Sequence, residues 1–249
     1  MIKISVVIIT MNEERNIGRC LASVDGVADE IVILDSGSTD RTEELCKNAG
    51  ARFYFQAFKG HIEQKNLALE KASHPYILSL DADEALSDEL KQSILEAKQN
   101  WAFDGYIMNR LTNYCGTWIK HSAWYPDSKL RLFNREKGQW GGINPHDKFI
   151  LEPKTKTAHL KGDLLHYSYY SIQEHSDRTE HYAEIAAQAL YQQGKKVSFV
   201  HRYSSSLVKF LRTYFLYLGF LDGANGWIIC KITAWGTYLK YKKLYDLNQ

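Results

Sequence analysis

Residues 1–100 alternate four short apolar runs with four helical patterns, and three of the runs end on a polar cluster. Ile4–Thr10 (ISVVIIT) is a continuous β-branched run, the pattern of a strand buried on both faces of a sheet. Glu30–Leu34 (EIVIL), Arg52–Phe55 and Tyr76–Leu80 (YILSL) read as the next three strands. Between them, Glu14–Val24, a segment ending at Asn48, and Ile62–Ala72 read as helices, and Ser87 opens a fourth. Thr39 or Asp40 is placed to cap the second helix, and Gly50 sits where its stop belongs. Strict strand–helix alternation predicts an α/β fold with a mostly parallel central sheet flanked by helices. In such sheets ligands bind beyond the carboxyl ends of the strands. The clusters Thr10–Glu13, Asp35–Ser38 and Asp81–Asp83 all fall there.

After residue 100 the pattern changes. Gly105–Leu111, Lys129–Asn134, Phe149–Leu151 and Leu164–Tyr167 read as strands joined by irregular connections that carry Trp118, Trp124, Tyr125 and Trp140. Ser171–Gln193 reads as a helix, and residues 203–245 as two more, broken at Gly223-Ala224-Asn225-Gly226. Composition follows this division. Of the 32 aromatic residues, 5 lie in residues 1–100. Residues 201–249 hold seven Lys/Arg against two Asp/Glu, so the overall net charge of +2 joins a mildly acidic body to a basic, aromatic tail. That near-balance argues against a nucleic-acid partner. The expected organisation is therefore one domain over 1–200, its halves meeting near residue 100, and a helical tail over 201–249.

Cys20, Cys46, Cys115 and Cys230 are scattered, with no C-x-x-C pair, which disfavours a zinc site and suits a reducing compartment. Ile4–Thr10 lacks the flanks of a signal peptide, and no run of about 18 apolar residues suggests a spanning helix. A cytoplasmic location is expected.

Asp81-Ala82-Asp83 carries the most chemistry. Two carboxylates at i and i+2 on a loop after a buried strand can converge on Mg²⁺ or Mn²⁺, which keeps positions open for phosphate oxygens. The plainer alternative is a polar strand end. Asp35, followed by Ser36-Gly37-Ser38, can accept a hydrogen bond from a nucleobase N–H, and Gly37 permits close backbone approach. No G-x-G-x-x-G follows the first strand, so a dinucleotide site is disfavoured. Lys65 is a candidate to offset diphosphate charge, Asp147 a candidate general base, and His166 a candidate to complete a metal shell. Each also has an ordinary reading: a solvated lysine, a loop acid, a satisfied buried histidine.

Ser5–Glu13, Val32–Asp40 and Leu80–Asp83 together resemble family 2 glycosyltransferases of the GT-A fold. Trp124–Asp127, Leu130–Phe133, His146-Asp147, His166–Ser168 and Gly219–Gly223 are similar to the lipopolysaccharide-core β-1,4-glucosyltransferase subgroup. The resemblance implies inverting transfer from a nucleotide-diphosphate sugar, uridine-linked, to a glycan or lipid-linked acceptor. It implies that Thr10, Asn12, Glu13, Asp35 and Ser38 hold the nucleoside and that Asp81 faces the ribose and diphosphate. Asp83, with Asp81 and His166, would hold the divalent metal, and Lys65 would stabilise the leaving diphosphate. Asp147, then Asp127, would be the base. Where the subgroup has Glu after His, this chain has the shorter Asp147.

Two other enzyme classes meet the same motifs less well. Phosphatases of the haloacid dehalogenase type carry D-x-D on the first strand, with Thr or Val two places on, whereas Glu84-Ala85 follow here. A nucleotidyltransferase wants a Gly-rich basic loop where Met11–Glu14 stand. A catalytically silent sugar- or membrane-binding module is the non-enzymatic alternative. The tail spaces Leu207, Phe210, Leu211, Tyr214, Leu218 and Leu221 helically, with lysines nearby, which predicts amphipathic helices at the inner membrane surface. The aromatics of 101–170 are expected to line an acceptor cleft.

Overall fold

The computed structural model describes residues 1–144 and 146–249, with only the backbone of His146. Two compact units share the chain. The first holds Met1–Arg110 and Asp127–His166, and the second holds Leu111–Pro126 and Tyr167–Gln249.

In the first unit, β1 (Ile4–Thr10), β2 (Glu30–Asp35), β3 (Arg52–Phe55) and β4 (Tyr76–Asp81) form a parallel sheet in the order β3-β2-β1-β4. Thr10 pairs with Asp35, so the first two polar clusters stand side by side at one sheet end. The alternation of β1 sorts the core. Ile4, Val6 and Ile8 meet Leu90, Ile94 and Ala97 of α4 (Asp88–Gln99) and Ile17, Cys20 and Leu21 of α1 (Ile17–Ser23) on one face. On the other face Val7 packs with Ala68 and Leu69 of α3 (His61–Lys71). Helix α2 (Thr42–Asn48) connects β2 and β3. Its Thr42 N–H is bonded to Asp40 at 3.0 Å, and Ser87 caps α4 through the Leu90 N–H at 3.2 Å.

The expected mostly parallel sheet is parallel only in this half. Beyond β4 the order continues through β8 (Asp127–Asn134), β6 (Gly105–Tyr114), β11 (Thr157–Tyr169) and β5 (Glu84–Leu86). The β4–β8, β6–β8 and β5–β11 pairs are antiparallel. Past α4 the links are loops rather than crossover helices, so neighbouring strands reverse direction. β9 (Gly138–Ile143) and β10 (His146–Leu151) form a separate antiparallel pair. Its Trp140 and Phe149 pack on Phe133 of β8, with Phe133 and Phe149 stacked 3.5 Å apart.

The second unit contains β7 (Thr117–Ile119), α5 (Ile172–Gln192), α6 (His201–Leu211) and α7 (Gly223–Leu247). Ala183 and Ala187 of α5 are buried, and a Cβ on Gly236 of α7 would lie 2.4 Å from Thr179 of α5. The break expected at 223–226 lies earlier. A π-helical turn over Arg212–Leu216 and a 3₁₀ turn over Gly219–Asp222 separate α6 from α7, which runs through Gly223–Gly226. Leu218 takes a left-handed φ of 54° there. Gly226 stays helical because its missing Cβ lets the Gly219 carbonyl come within 1.9 Å of where that atom would be.

Many of the aromatics expected to line an acceptor cleft are core instead. Trp140 and Tyr106 are buried, Trp101 packs on Tyr76 and Tyr106, and Trp124 packs on Tyr114, Tyr169 and His175. No helix among the described residues is long and apolar enough to cross a membrane.

Candidate active site

The loops after β1 and β2 are laced together by side chains. Asp35 accepts hydrogen bonds from Thr10 Oγ1 at 2.8 Å, Ser38 Oγ at 2.5 Å, and the Gly37 and Ser38 N–H groups at 2.8 Å each. A carboxylate offers about four lone-pair positions, and all four are used. Asn12 sits at φ 55°; its N–H donates to Ser38 Oγ and its Oδ1 accepts from the Thr39 N–H, both at 2.8 Å. Glu13 N–H donates to Thr42 Oγ1 at 2.8 Å, and its carboxylate accepts from Asn16 at 2.8 Å. Thr10, Asn12, Glu13, Asp35 and Ser38 thus form one contiguous rim. Asp35 meets its own loop, so its predicted bond to a nucleobase would compete with four existing donors.

At the end of β4 the charged residues form an alternating ladder. Asp147 Oδ2 lies 2.8 Å from Lys65 Nζ, and Lys65 Nζ lies 2.9 Å from Asp81 Oδ1. Asp81 Oδ2 lies 2.5 Å from Arg131 Nη2, which lies 2.9 Å from Glu84 Oε1. Arg110 Nη1 follows at 3.4 Å from Glu84, and its Nη2 lies 2.8 Å from Asp127. Lys129 ends the ladder 2.9 Å from Asp127. The two candidate bases therefore lie toward opposite ends of one charge network, Asp147 at the buried end and Asp127 at the more open one.

Burial alone would raise the Asp81 carboxyl, but Arg131 and Lys65 outweigh it and hold the group well below the usual carboxylate range. Asp127 is likewise lowered, burial being outweighed by Arg110 and Lys129. Arg131 is 4% exposed and its charge is held by Asp81 and Glu84 against the cost of burial. Lys65 is as deeply buried and lies 4.5 Å from the Trp140 ring, so it is not the solvated lysine of the plainer reading.

Asp83 and His166 face one another beside this ladder, with Oδ2 3.2 Å from Nε2. Burial of Asp83 is outweighed by His166, which lowers its carboxyl. Both side chains keep part of their surface open. Asp81 differs from this pair in its contacts, because each of its oxygens already meets a cationic side chain, Lys65 or Arg131. Among the described residues no three acidic, histidine or cysteine side chains cluster as a ready-made metal cage. The donor set nonetheless fits a hard divalent cation that takes most of its ligands from phosphate and water, since Asp83 and His166 supply two adjacent donors.

Arg110, Arg131 and Glu84 join the site without being marked by any of the motifs read above as site residues. Arg131 lies inside the Leu130–Phe133 motif, but only strand pairing shows which carboxylate it meets. Pro145 and the His146 side chain, within the motif that led to Asp147, lie outside the described residues.

Comparison with known proteins gives the family. The sequence profile of Glycosyl transferase family 2 matches residues 5–153. The chain is 32% identical over 259 positions to an uncharacterized glycosyltransferase of Rickettsia typhi, covering all of this chain and 88% of that protein. It is 30% identical to the lipopolysaccharide core biosynthesis glycosyltransferase LpsC of Rhizobium meliloti, covering 98% of this chain and 92% of LpsC. Among solved structures, glucosyl-3-phosphoglycerate synthase of Mycobacterium tuberculosis in complex with Mn²⁺ and UDP-glucose is 18% identical, with a TM-score of 0.48 over 79% of this chain and 81% of that one. The chain belongs to glycosyltransferase family 2, with the GT-A fold.

Proposed function

We propose that the protein transfers a hexose, with inversion, from a uridine diphosphate sugar to a saccharide acceptor of the cell-envelope lipopolysaccharide core. The observation that carries this reading is the placement of the Asp83–His166 pair beside the Asp81–Lys65–Asp147 chain at the carboxyl end of β4. The similarity to LpsC over nearly the whole of both chains supports the acceptor class.

Thr10, Asn12, Glu13 and Ser38 form the rim against which the nucleoside lies, and Asp35 fixes the Gly37–Ser38 backbone of that rim. Asp81 orients Lys65 toward the diphosphate. Asp83 and His166 would hold a divalent cation, which when bound supplies positive charge against the negative charge that develops on the leaving diphosphate. Lys65 adds a second positive charge at the same place by giving up one of its two carboxylates. Asp147 then takes the proton of the acceptor hydroxyl as the oxygen attacks the anomeric carbon from the face opposite the diphosphate. Asp127, pinned by Arg110 and Lys129, is the less available base.

The second unit supports a peripheral position on an anionic membrane. Arg202 and Thr213 point inward and are buried, while Leu207, Val208, Leu211, Phe215, Leu216 and Leu221 are exposed. Residues 199–221 contain no Asp or Glu, and Lys209 and Arg212 flank the exposed apolar side chains. This inverted face suits insertion at the level of acidic head groups. A second copy of the same face would set like charges together with no acid in the segment to pair them.

Thermal unfolding with nucleotide and metal tests the donor reading. UDP with Mn²⁺ should raise the melting temperature more than either alone, because each completes the other's site. No shift with any nucleoside diphosphate would overturn it. Cosedimentation with phosphatidylglycerol vesicles tests the membrane position: Leu211→Ser with Phe215→Ser should abolish it, and unchanged sedimentation would overturn it.

A further inference from the structure

We propose that Glu84 is a positioning residue that sets both aspartates of the Asp81-Ala82-Asp83 loop, and with them the affinity of the site for a divalent cation. The inference rests on the reading of Asp83 and His166 above. Glu84 belongs to none of the motifs that define the family resemblance, and its carboxylate touches no solvent.

Three hydrogen bonds and one strand pairing converge on it. Its Oε2 accepts from the Asp81 N–H at 3.0 Å, so the four-residue turn Asp81–Glu84 is closed on its first residue by the side chain of its last. Its Oε1 accepts from Arg131 at 2.9 Å and from Arg110 at 3.4 Å. Its backbone pairs with His166 across β5 and β11. Glu84 therefore fixes the Asp81 backbone directly, the Asp81 carboxylate through Arg131, the Asp127 carboxylate through Arg110, and the strand position of His166.

A fully buried carboxylate is a costly way to fill space, because an apolar side chain of similar volume often serves a core as well or better. Here the charge has a specific task. Two guanidiniums side by side repel, and Glu84 between them lets Arg131 lie against Asp81 while Arg110 lies against Asp127. Asp83 is held between the two fixed ends of the turn and is thereby presented to His166. Loss of Glu84 leaves Arg131 held by Asp81 alone, opens the turn and lets Asp83 drift from His166. Removing comparable outer partners of metal ligands lowers metal affinity about 10–100-fold.

Glu84→Gln and Glu84→Asp test this in the full chain. Glutamine keeps the volume but turns an N–H₂ toward groups that are all donors. Aspartate keeps the charge between the arginines but is one methylene short of the Asp81 amide. The first readout needs no metal: hydrogen exchange of the Asp81 amide, resolved by NMR. Both variants should exchange there at least 10-fold faster, with the β1 amides of Val6–Ile8 unchanged. The second readout is Mn²⁺ affinity measured by electron paramagnetic resonance with UDP present. It should weaken about 10-fold or more in both variants. Wild-type exchange at Asp81 in the aspartate variant, or acceleration spread equally over β1, would overturn the proposal. If the wild type takes up no Mn²⁺, the metal reading fails by itself and the proposal fails with it as regards metal. The exchange result still decides whether Glu84 holds the loop.

Discussion

Lys65 and Asp147 are 82 positions apart in sequence, and their ammonium and carboxylate lie 2.8 Å apart in the first unit. The same ammonium lies 2.9 Å from Asp81. One lysine thus couples the residue proposed to take the acceptor proton to the residue that opens the D-A-D loop. Diphosphate would draw Lys65 away from one of them, so donor binding and base activation share a single group.

Replacing Asp147 by Asn should lower kcat about 10²–10⁴-fold with little change in donor KM, since a proton acceptor works mainly in the transition state. Asp127→Asn should cost far less. Steady-state kinetics on both variants checks the ranking, and a larger loss at Asp127 would reverse the two roles.

Arg131→Met should destabilise the protein by up to about 3–5 kcal/mol, because it leaves the buried Glu84 with only the longer Arg110 contact and removes one of the two cationic partners of Asp81. Urea denaturation measures this. Asp127, which Arg131 does not touch in the ladder, should keep its pairing with Arg110.

His175 makes the second unit acid-sensitive. Burial, aided by Arg178, pushes its imidazole down to about 4, and its Nδ1 lies 3.1 Å from the Tyr114 hydroxyl. An unfolded histidine titrates near 6.5. Between those values the unfolded chain binds the extra proton, so stability is full above about pH 6.5 and falls steadily toward pH 4. Melting temperatures across that range should drop, and His175→Gln should flatten the profile between pH 6.5 and 4.

Glu30 gives a lower window. Burial is outweighed by bonds from Ser5, Ser73 and Arg52, which bring its carboxyl down to about 2. Its stabilisation is complete above about pH 4.5 and disappears as pH falls toward 2. Glu30→Gln should lower stability at pH 7 by about 2 kcal/mol and abolish this part of the acid profile.

The parallel half of the fold was legible because short apolar or aromatic runs alternate there with helical patterns. Arg52–Phe55 is found where it was expected. Short strands were not legible. Glu84–Leu86 and Thr117–Ile119 have three residues each, too few for a periodic pattern, and exist by pairing with β11 and β6. The tail's break was misplaced because glycine was read as a breaker. The helix instead uses Gly226 for close approach to the Gly219 carbonyl. Trp124 and Trp140 were read as surface platforms because composition does not tell a buried indole from an exposed one. At the site, Asp81, Asp83, Asp35, Lys65, Asp147 and His166 were visible as residue types at strand ends. The arginines were not, because their partners lie about 20 to 50 positions away and become neighbours only in the antiparallel half of the sheet.

The most direct test of the account is release of UDP from UDP-glucose by the purified chain, with Mn²⁺ titrated, for the wild type and Asp83→Ala. The wild type should release UDP in a Mn²⁺-dependent way that a chelator suppresses, and the variant at least about 100-fold less at the same Mn²⁺ concentration. Equal turnover by both proteins, undiminished by the chelator, would contradict it.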